Sequence, residues 1–205
     1  MAYGISGLVP RSAAVALAAA TLAGCGVNSV PTAEEQAKAK WADVQAAFQE
    51  RANLVGNLAA VAKGAAVQEK GILVGVVEAR AKATSIQVQP GDLTDPAKMK
   101  AFQEAQNQLS GSLGGFGRLL ANVEAYPELK SITNYQMLQS QLEGIENRIR
   151  VSVRDYNEAV RAYNTTIRTF PDAIGAKVIY GAKPLVPYEA TTPNANVAPT
   201  LEGKM

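Results

Sequence analysis

The fold is decided by residues 142–170, which read LEGIENRIRVSVRDYNEAVRAYNTTIRTF. Apolar residues recur in this stretch at alternating steps of three and four, which is the period of one face of an α-helix. Such a seam is stable only when other helices cover it. The stretch therefore predicts a long helix inside a bundle, and its predicted buried face consists of Leu142, Ile145, Ile149, Val153, Tyr156, Val160, Tyr163, Ile167 and Phe170.

Two more helices are predicted on the N-terminal side of this one. A helix that begins at Pro96 and stops before Tyr126-Pro127 has a capping sequence and an apolar face. Further upstream, apolar residues at steps of three, four or seven predict one continuous helix from about Thr32 to Thr84. We interpret the glycines inside both helices as places where neighbouring helices approach closely.

The predicted fold class is all-α, an elongated antiparallel bundle of three long helices plus a short C-terminal helix. The bundle is expected to occupy residues 33–180, with the short helix over 172–180. Residues 181–205 are rich in proline, threonine and asparagine, and they predict a flexible C-terminal tail.

The first 24 residues predict a lipoprotein signal peptide. The alanine-rich apolar run that begins at Ser12 is shorter than the ~20 residues that a membrane-spanning helix needs. It leads into Leu22-Ala23-Gly24-Cys25, which resembles a bacterial lipobox with cleavage between Gly24 and Cys25. We expect lipid on Cys25, a polar tether over 25–32 and a bundle outside the cytoplasm. The alternative is a plain signal peptide followed by an incidental free cysteine.

Composition argues against several classes of function. The chain has no histidine and a formal net charge of +2, with basic residues scattered among acidic ones. Without histidine, the commonest general base and metal ligand is missing. The basic residues form no stripe, so nucleic-acid binding is not predicted. The glycines of 111–117 lack the Lys-Ser/Thr and the strand of a phosphate loop. We therefore predict a non-enzymatic protein with no catalytic residue, no metal site and no cofactor.

Four separated blocks of the chain resemble the LemA family. The most specific block contains Tyr156-Asn157, Tyr163-Asn164 and Phe170-Pro171 at fixed spacing along the predicted third long helix. The other positions that carry the resemblance are Arg51, Asn53, Asn57, Glu69, Arg80, Tyr126 and Pro127. Gly56 departs from the family, which usually has proline there. The resemblance implies a four-helix bundle that projects from a membrane in the cell envelope.

Asn157 and Asn164 lie seven residues apart and therefore on one helix face. We predict that they build a buried polar layer with Asn53, Asn57 or Arg51, which fixes the register of the helices. The alternative is a pocket for a small ligand or a peptide, lined by the same amides and by Tyr156 and Tyr163.

Trp41 and Phe48, which lie seven residues apart, are predicted to belong to the core; contact with lipid headgroups is the alternative. The favoured function is an envelope lipoprotein that acts as a structural or adaptor module. Its predicted partners are the membrane, through the lipid anchor, and other envelope proteins, with no nucleic acid. A ligand-binding protein is the second hypothesis and an enzyme is the third.

Overall fold

The computed structural model describes residues 11–65, 70–121 and 133–189. Its α-helices are α1 (Arg11–Ala65), α2 (Lys70–Ser85), α3 (Pro96–Ala121), α4 (Thr133–Thr166) and α5 (Asp172–Gly175). A 3₁₀ turn (Pro90–Asp92) lies between α2 and α3, and a π-helical segment (Ala176–Tyr180) follows α5 directly. Within the described residues every regular element is helical, which confirms the predicted all-α bundle.

Contacts between α1 and the other helices define the direction of each helix. In the first half of α1, the Ser29 hydroxyl donates to Asp172 Oδ1, just beyond the end of α4, over 2.7 Å. Further along α1, Glu50 Oε2 accepts a hydrogen bond from Arg148 Nη1 of α4 over 2.6 Å. Later residues of α1 therefore meet earlier residues of α4, so these two helices are antiparallel. Trp41 of α1 lies against Phe102 of α3, and Arg51 further along α1 meets Gln106 further along α3, so these two helices run in the same direction.

The predicted continuous helix over Thr32–Thr84 is wrong, because α2 folds back along α1. The Arg80 side chain donates a hydrogen bond from Nε to the carbonyl of Ala52. In one straight helix these residues would be roughly 40 Å apart at 1.5 Å per residue. Apolar steps of three and four satisfy two packed helices as well as one, so the periodicity did not reveal the reversal.

The buried apolar side chains form two clusters along the bundle. The first cluster is aromatic and surrounds Trp41, Phe48, Phe102 and Tyr156. The second is aliphatic and joins α1, α2, α3 and α4 near the far end of α1; its buried members are Val55, Leu58, Leu73, Val76, Ala83, Leu109 and Leu138. Both Trp41 and Phe48 are buried, which confirms their predicted place in the core.

The predicted polar tether is wrong for its last residues. Residues 28–32 are helical within α1, Val30 is fully buried, and Ser29 bonds to Asp172. The apolar stripe of α1 therefore includes Val30, because this side chain lies seven residues before Ala37 on the same face. Nowhere in the described part of the chain is a helix both long enough and apolar enough to cross a lipid bilayer.

Among the glycines whose surroundings the structure describes, only one is explained by close packing. A Cβ at Gly56 would lie 3.0 Å from Arg80 Nε, so the missing side chain makes room for the guanidinium group. The prediction of close packing is wrong for four others, where a Cβ would meet no heavy atom within 4 Å: Gly71, Gly75, Gly111 and Gly114.

Candidate functional site

Residues 181–189 form an irregular segment that packs against the bundle, and we call them the C-terminal segment. Leu185 and Tyr188 are buried in the aromatic cluster, and the Val186 amide donates to the Leu93 carbonyl over 2.8 Å. The prediction of a flexible tail from residue 181 is therefore wrong up to residue 189, since these apolar side chains complete the core. Residues 190–205 lie outside the described part of the chain.

Asn157 and Asn164 hold the backbone of this segment. Asn157 accepts a hydrogen bond from the Tyr188 amide and donates one to the Tyr188 carbonyl, both over 2.8 Å. Asn164 forms the same pair of bonds with Leu185, both over 2.9 Å. Each side-chain amide therefore takes the place of a neighbouring strand and satisfies backbone groups that have no helical partner.

The spacing of the two asparagines matches the spacing of the residues that they hold. Asn157 and Asn164 are seven positions apart on the helix, which is an advance of roughly 10.5 Å along its axis. Leu185 and Tyr188 are three residues apart, which spans roughly 10 Å in an extended chain. Seven residues along α4 therefore span the same distance as three residues along the C-terminal segment. This match is a physical reason for the spacing of the two Tyr-Asn pairs.

The tyrosines of these pairs support the same segment from inside the core. The Tyr156 hydroxyl donates to the Val186 carbonyl over 2.8 Å, and the Tyr156 ring lies 5.0 Å from that of Trp41. Burial raises the pKa of Tyr156 far above its ordinary value. Burial also raises the pKa of Tyr163, and the nearby Glu34 carboxylate adds to the shift. Both phenols therefore lose their protons only at a higher pH than an ordinary tyrosine does.

Tyr188 completes the aromatic cluster from the other side. Its ring centroid lies 5.7 Å from that of Phe48 and 6.4 Å from that of Phe102. The rings of Phe48 and Phe102 also pack against each other, edge to face. Burial raises the pKa of Tyr188 to about 12, with Arg51 acting to lower it and Glu146 to raise it. The phenol is thus held in its neutral form inside the bundle.

The predicted polar layer is wrong in its composition. Asn53 and Asn57 are exposed on α1, and Asn53 accepts a bond only from the neighbouring Gln49 side chain in the described structure. Asn157 and Asn164 reach the C-terminal segment instead of these residues. Their position on α4 was predictable from the helical period, but the identity of their partners required the path of residues 181–189.

Arg51 forms a separate polar cluster. Its side chain is 2% exposed, and it donates to Gln106 Oε1 over 2.6 Å, to Ser110 Oγ over 2.9 Å and to Glu146 Oε1 over 3.2 Å. The guanidinium carbon also lies 4.9 Å from the centre of the Phe48 ring, a cation–π geometry. Arg51 therefore ties α1 to α3 and α4, and its Nε has no hydrogen-bond partner among the described residues.

The link between α2 and α3, residues 86–95, is hydrogen-bonded to side chains of α1. Trp41 Nε1 and Gln45 Nε2 both donate to the Val88 carbonyl, over 2.8 and 3.0 Å. Val88 and Leu93 are fully buried in the aromatic cluster. The link and the C-terminal segment are thus two irregular stretches whose backbone groups are bonded by side chains of the long helices.

The remaining predicted residues lie apart from this site. The predicted burial of Phe170 is wrong, because α4 ends at Thr166 and both Phe170 and Pro171 are exposed beyond it. Arg80 bonds to Ala52. Gly24 and Cys25 lie in α1, where the structure describes the helix but not the side chains. Glu69, Tyr126 and Pro127 fall outside the described residues.

Sequence reasoning missed Leu185, Tyr188 and the buried Gln106. A signal for the first two was present, because Pro184 and Pro187 flank apolar residues and so favour an extended chain that carries core side chains. A groove of about 600 Å³ runs beside the segment and is lined by both asparagines together with Arg161 and Arg168. The asparagine amides that face it are already bonded to the chain's own backbone.

Comparison with known proteins agrees with this architecture. The family model described as "LemA family" matches residues 40–202, a range that includes the α4 motif and the C-terminal segment that it holds. Magnetosome protein MamQ 2 of Paramagnetospirillum magneticum is 28% identical over 158 residues, which are 70% of this chain and 58% of the relative. Magnetosome protein MamQ of Magnetospirillum gryphiswaldense is 28% identical over 159 residues, again 70% and 58%. The chain thus spans less than two thirds of the length of these relatives. Because the family model covers most of its residues, the chain belongs to the LemA family.

Proposed function

We propose that this protein is a membrane-anchored envelope lipoprotein that acts as a non-enzymatic structural or adaptor module. The observation that carries the proposal is that the polar side chains at the family positions form hydrogen bonds within the protein itself. Asn157, Asn164 and Arg80 bond to the protein's own backbone, while Arg51 ties three helices together. These groups serve to hold the bundle in one shape, which suits a protein that presents surfaces to others.

Membrane attachment is supported by two independent features. Leu22-Ala23-Gly24-Cys25 resembles a lipobox, and acyl chains on Cys25 would anchor the chain stably because each buried methylene contributes ~0.8 kcal/mol. Membership of the LemA family, together with relatives that are magnetosome proteins, supports association with a membrane. Val30, five residues after Cys25, is fully buried in the aromatic cluster, so packed core lies close to the proposed acylation site.

The far end of the bundle offers a surface for protein partners. Val74 and Val77 of α2 are 53% and 51% exposed, while Leu73 and Val76 beside them are buried in the aliphatic cluster. Two large apolar side chains on one exposed helix face are the kind of surface that a partner helix covers. The bundle would hold this face at a fixed distance from the membrane.

Fractionation of cells tests the anchor. We expect the wild-type chain and a Gly26→Ala control in the membrane fraction, both labelled by an alkyne-tagged fatty acid. The Cys25→Ala variant should lose the label and move to the soluble fraction. Unchanged labelling and membrane retention of Cys25→Ala would contradict the lipid anchor.

Cross-linking in intact cells tests the adaptor role. A photo-crosslinking amino acid at Val77 should give a discrete adduct with another envelope protein, because the apolar face is proposed to contact it. The same group at Glu104, which is exposed on α3, serves as the control. Equal adducts at both positions, or none at Val77, would contradict a partner surface on α2.

A second candidate function is peptide binding in the groove that the C-terminal segment now fills. The specific observation in its favour is that Asn157 and Asn164 bond to backbone atoms, which any extended peptide offers. A labelled peptide of residues 182–189 should bind the full-length Tyr188→Ala variant, whose own segment is weakened, and should not bind after Asn157→Leu is added. Failure to bind Tyr188→Ala would remove this candidate.

A further inference from the structure

Residues 172–180, the C-terminal helical run, are packed with their large apolar side chains outward. The run buries Ala176, while Ala173 and Gly175 are half-buried. Its large residues remain in solvent together with the preceding Phe170, and the exposed fractions are Phe170 78%, Ile174 59%, Val178 77%, Ile179 60% and Tyr180 42%. We call these five residues the apolar patch. Small residues inside and large apolar residues outside are the reverse of a water-facing helix.

The apolar patch lies at the end of the bundle where the proposed lipid anchor emerges. Asp172 at the start of the run accepts the hydrogen bond from Ser29, over 2.7 Å. Only three residues separate Ser29 from Cys25. A bilayer that holds acyl chains on Cys25 would therefore be adjacent to the run.

The charge of this region fits an anionic surface. Residues 168–183 contain three basic side chains, Arg168, Lys177 and Lys183, and one acidic side chain, Asp172, which gives a net charge of +2. The basic residues are exposed, and none of them forms an ion pair with another described residue. Basic side chains beside exposed apolar and aromatic ones are typical of helices that lie in the headgroup region of a membrane.

We propose that the apolar patch inserts into the lipid headgroup region of an anionic phospholipid bilayer, and so orients the bundle on the membrane. This inference rests on the proposed membrane anchor, which would bring the patch to the bilayer. The acyl chains would supply attachment, and the patch would fix which end of the rod faces the lipid. Insertion would also remove the apolar side chains from water.

Quenching of tryptophan fluorescence by brominated lipids tests this contact in the full-length chain. The protein has one tryptophan, Trp41, which is fully buried and gives an unquenched background. A reporter is added by Val178→Trp in the patch, and the matched control is Val77→Trp, which is exposed at the far end of the bundle. Both variants are reconstituted in vesicles of phosphatidylethanolamine and phosphatidylglycerol with or without brominated acyl chains.

We expect brominated lipid to lower the added emission of Val178→Trp about twofold and to leave Val77→Trp unchanged, because only the patch reaches the boundary between the headgroups and the brominated acyl chains. Replacing phosphatidylglycerol by phosphatidylcholine, or adding Lys177→Gln and Lys183→Gln, should reduce the quenching. If the chain floats with vesicles but Val178→Trp is not quenched, or is quenched no more than the control, the patch proposal is overturned while the anchor stands. Contacts between copies at residue 178 would then identify a dimer surface. If the chain does not float with vesicles, both proposals fail.

Discussion

Two consecutive stretches of nine residues make opposite use of their side chains. Residues 172–180 are helical and leave most of their large apolar groups in solvent, whereas the C-terminal segment has no regular structure and buries Leu185 and Tyr188. The comparison shows that regular backbone and burial are separate properties. A helix satisfies its own backbone, but the C-terminal segment is ordered because Asn157 and Asn164 supply the missing hydrogen-bond partners.

The largest expected effect comes from removing the ring that the C-terminal segment buries. Tyr188→Ala should destabilise the protein by about 3 kcal/mol, because loss of a buried aromatic side chain costs ~3–5 kcal/mol and the segment retains the freedom to detach. Phe170→Ala removes an aromatic ring that is 78% exposed and should change stability by less than about 0.5 kcal/mol. Denaturant unfolding of both variants measures the difference. Similar losses would show that the two stretches do not differ as described.

The second effect comes from removing the side chains that replace a neighbouring strand. Asn157→Leu leaves the amide and carbonyl of Tyr188 without their partners, which should cost about 2 kcal/mol. Hydrogen exchange at the Tyr188 amide should accelerate more than exchange in α1. Asn147→Leu, at an exposed position of α4, is the control and should leave both quantities near wild type. A more stable Asn157→Leu variant would mean that the bonds do not hold the segment.

Alkaline pH sharpens the comparison through the Tyr188 phenol. Its pKa rises from an ordinary 10.0 to about 12 on burial, so the folded state retains a proton that the unfolded state loses. The stabilisation is complete below pH 10 and falls as the pH rises towards 12, by at most about 1.4 kcal/mol per pH unit for one group. Tyr188→Phe keeps the ring and should show a shallower decline in unfolding free energy between pH 9.5 and about 11. Identical slopes in both proteins would contradict a buried neutral phenol.

The smallest effect is expected in the apolar patch. Val178→Gln should change the free energy of unfolding by less than about 0.5 kcal/mol, because the side chain is 77% exposed. Leu185→Gln, in the C-terminal segment, places an amide in the core and should cost several times more. Thermal unfolding of the two variants completes the comparison. A large loss for Val178→Gln would show that residue 178 packs against the bundle.

Local patterns in the sequence were sufficient to predict the helices α3 and α4. The three-four spacing of α4 and the capping proline of α3 act within a few turns, so residues near each other in the chain determine them. The same patterns placed Asn157 and Asn164 on one face and Trp41 and Phe48 in the core. The lack of histidine likewise restricts the chemistry whatever the fold.

Tertiary structure alone decided where the chain turns back and what the asparagines hold. Apolar spacing does not distinguish one long helix from two packed ones, so the return of α2 along α1 appears only in the bond between Arg80 and Ala52. The composition of residues 181–189 predicted a flexible tail, because an isolated stretch of this kind cannot form hydrogen bonds to its own backbone groups. Side chains on α4 satisfy it instead, and such a match between distant parts of the chain exists only once the bundle has formed.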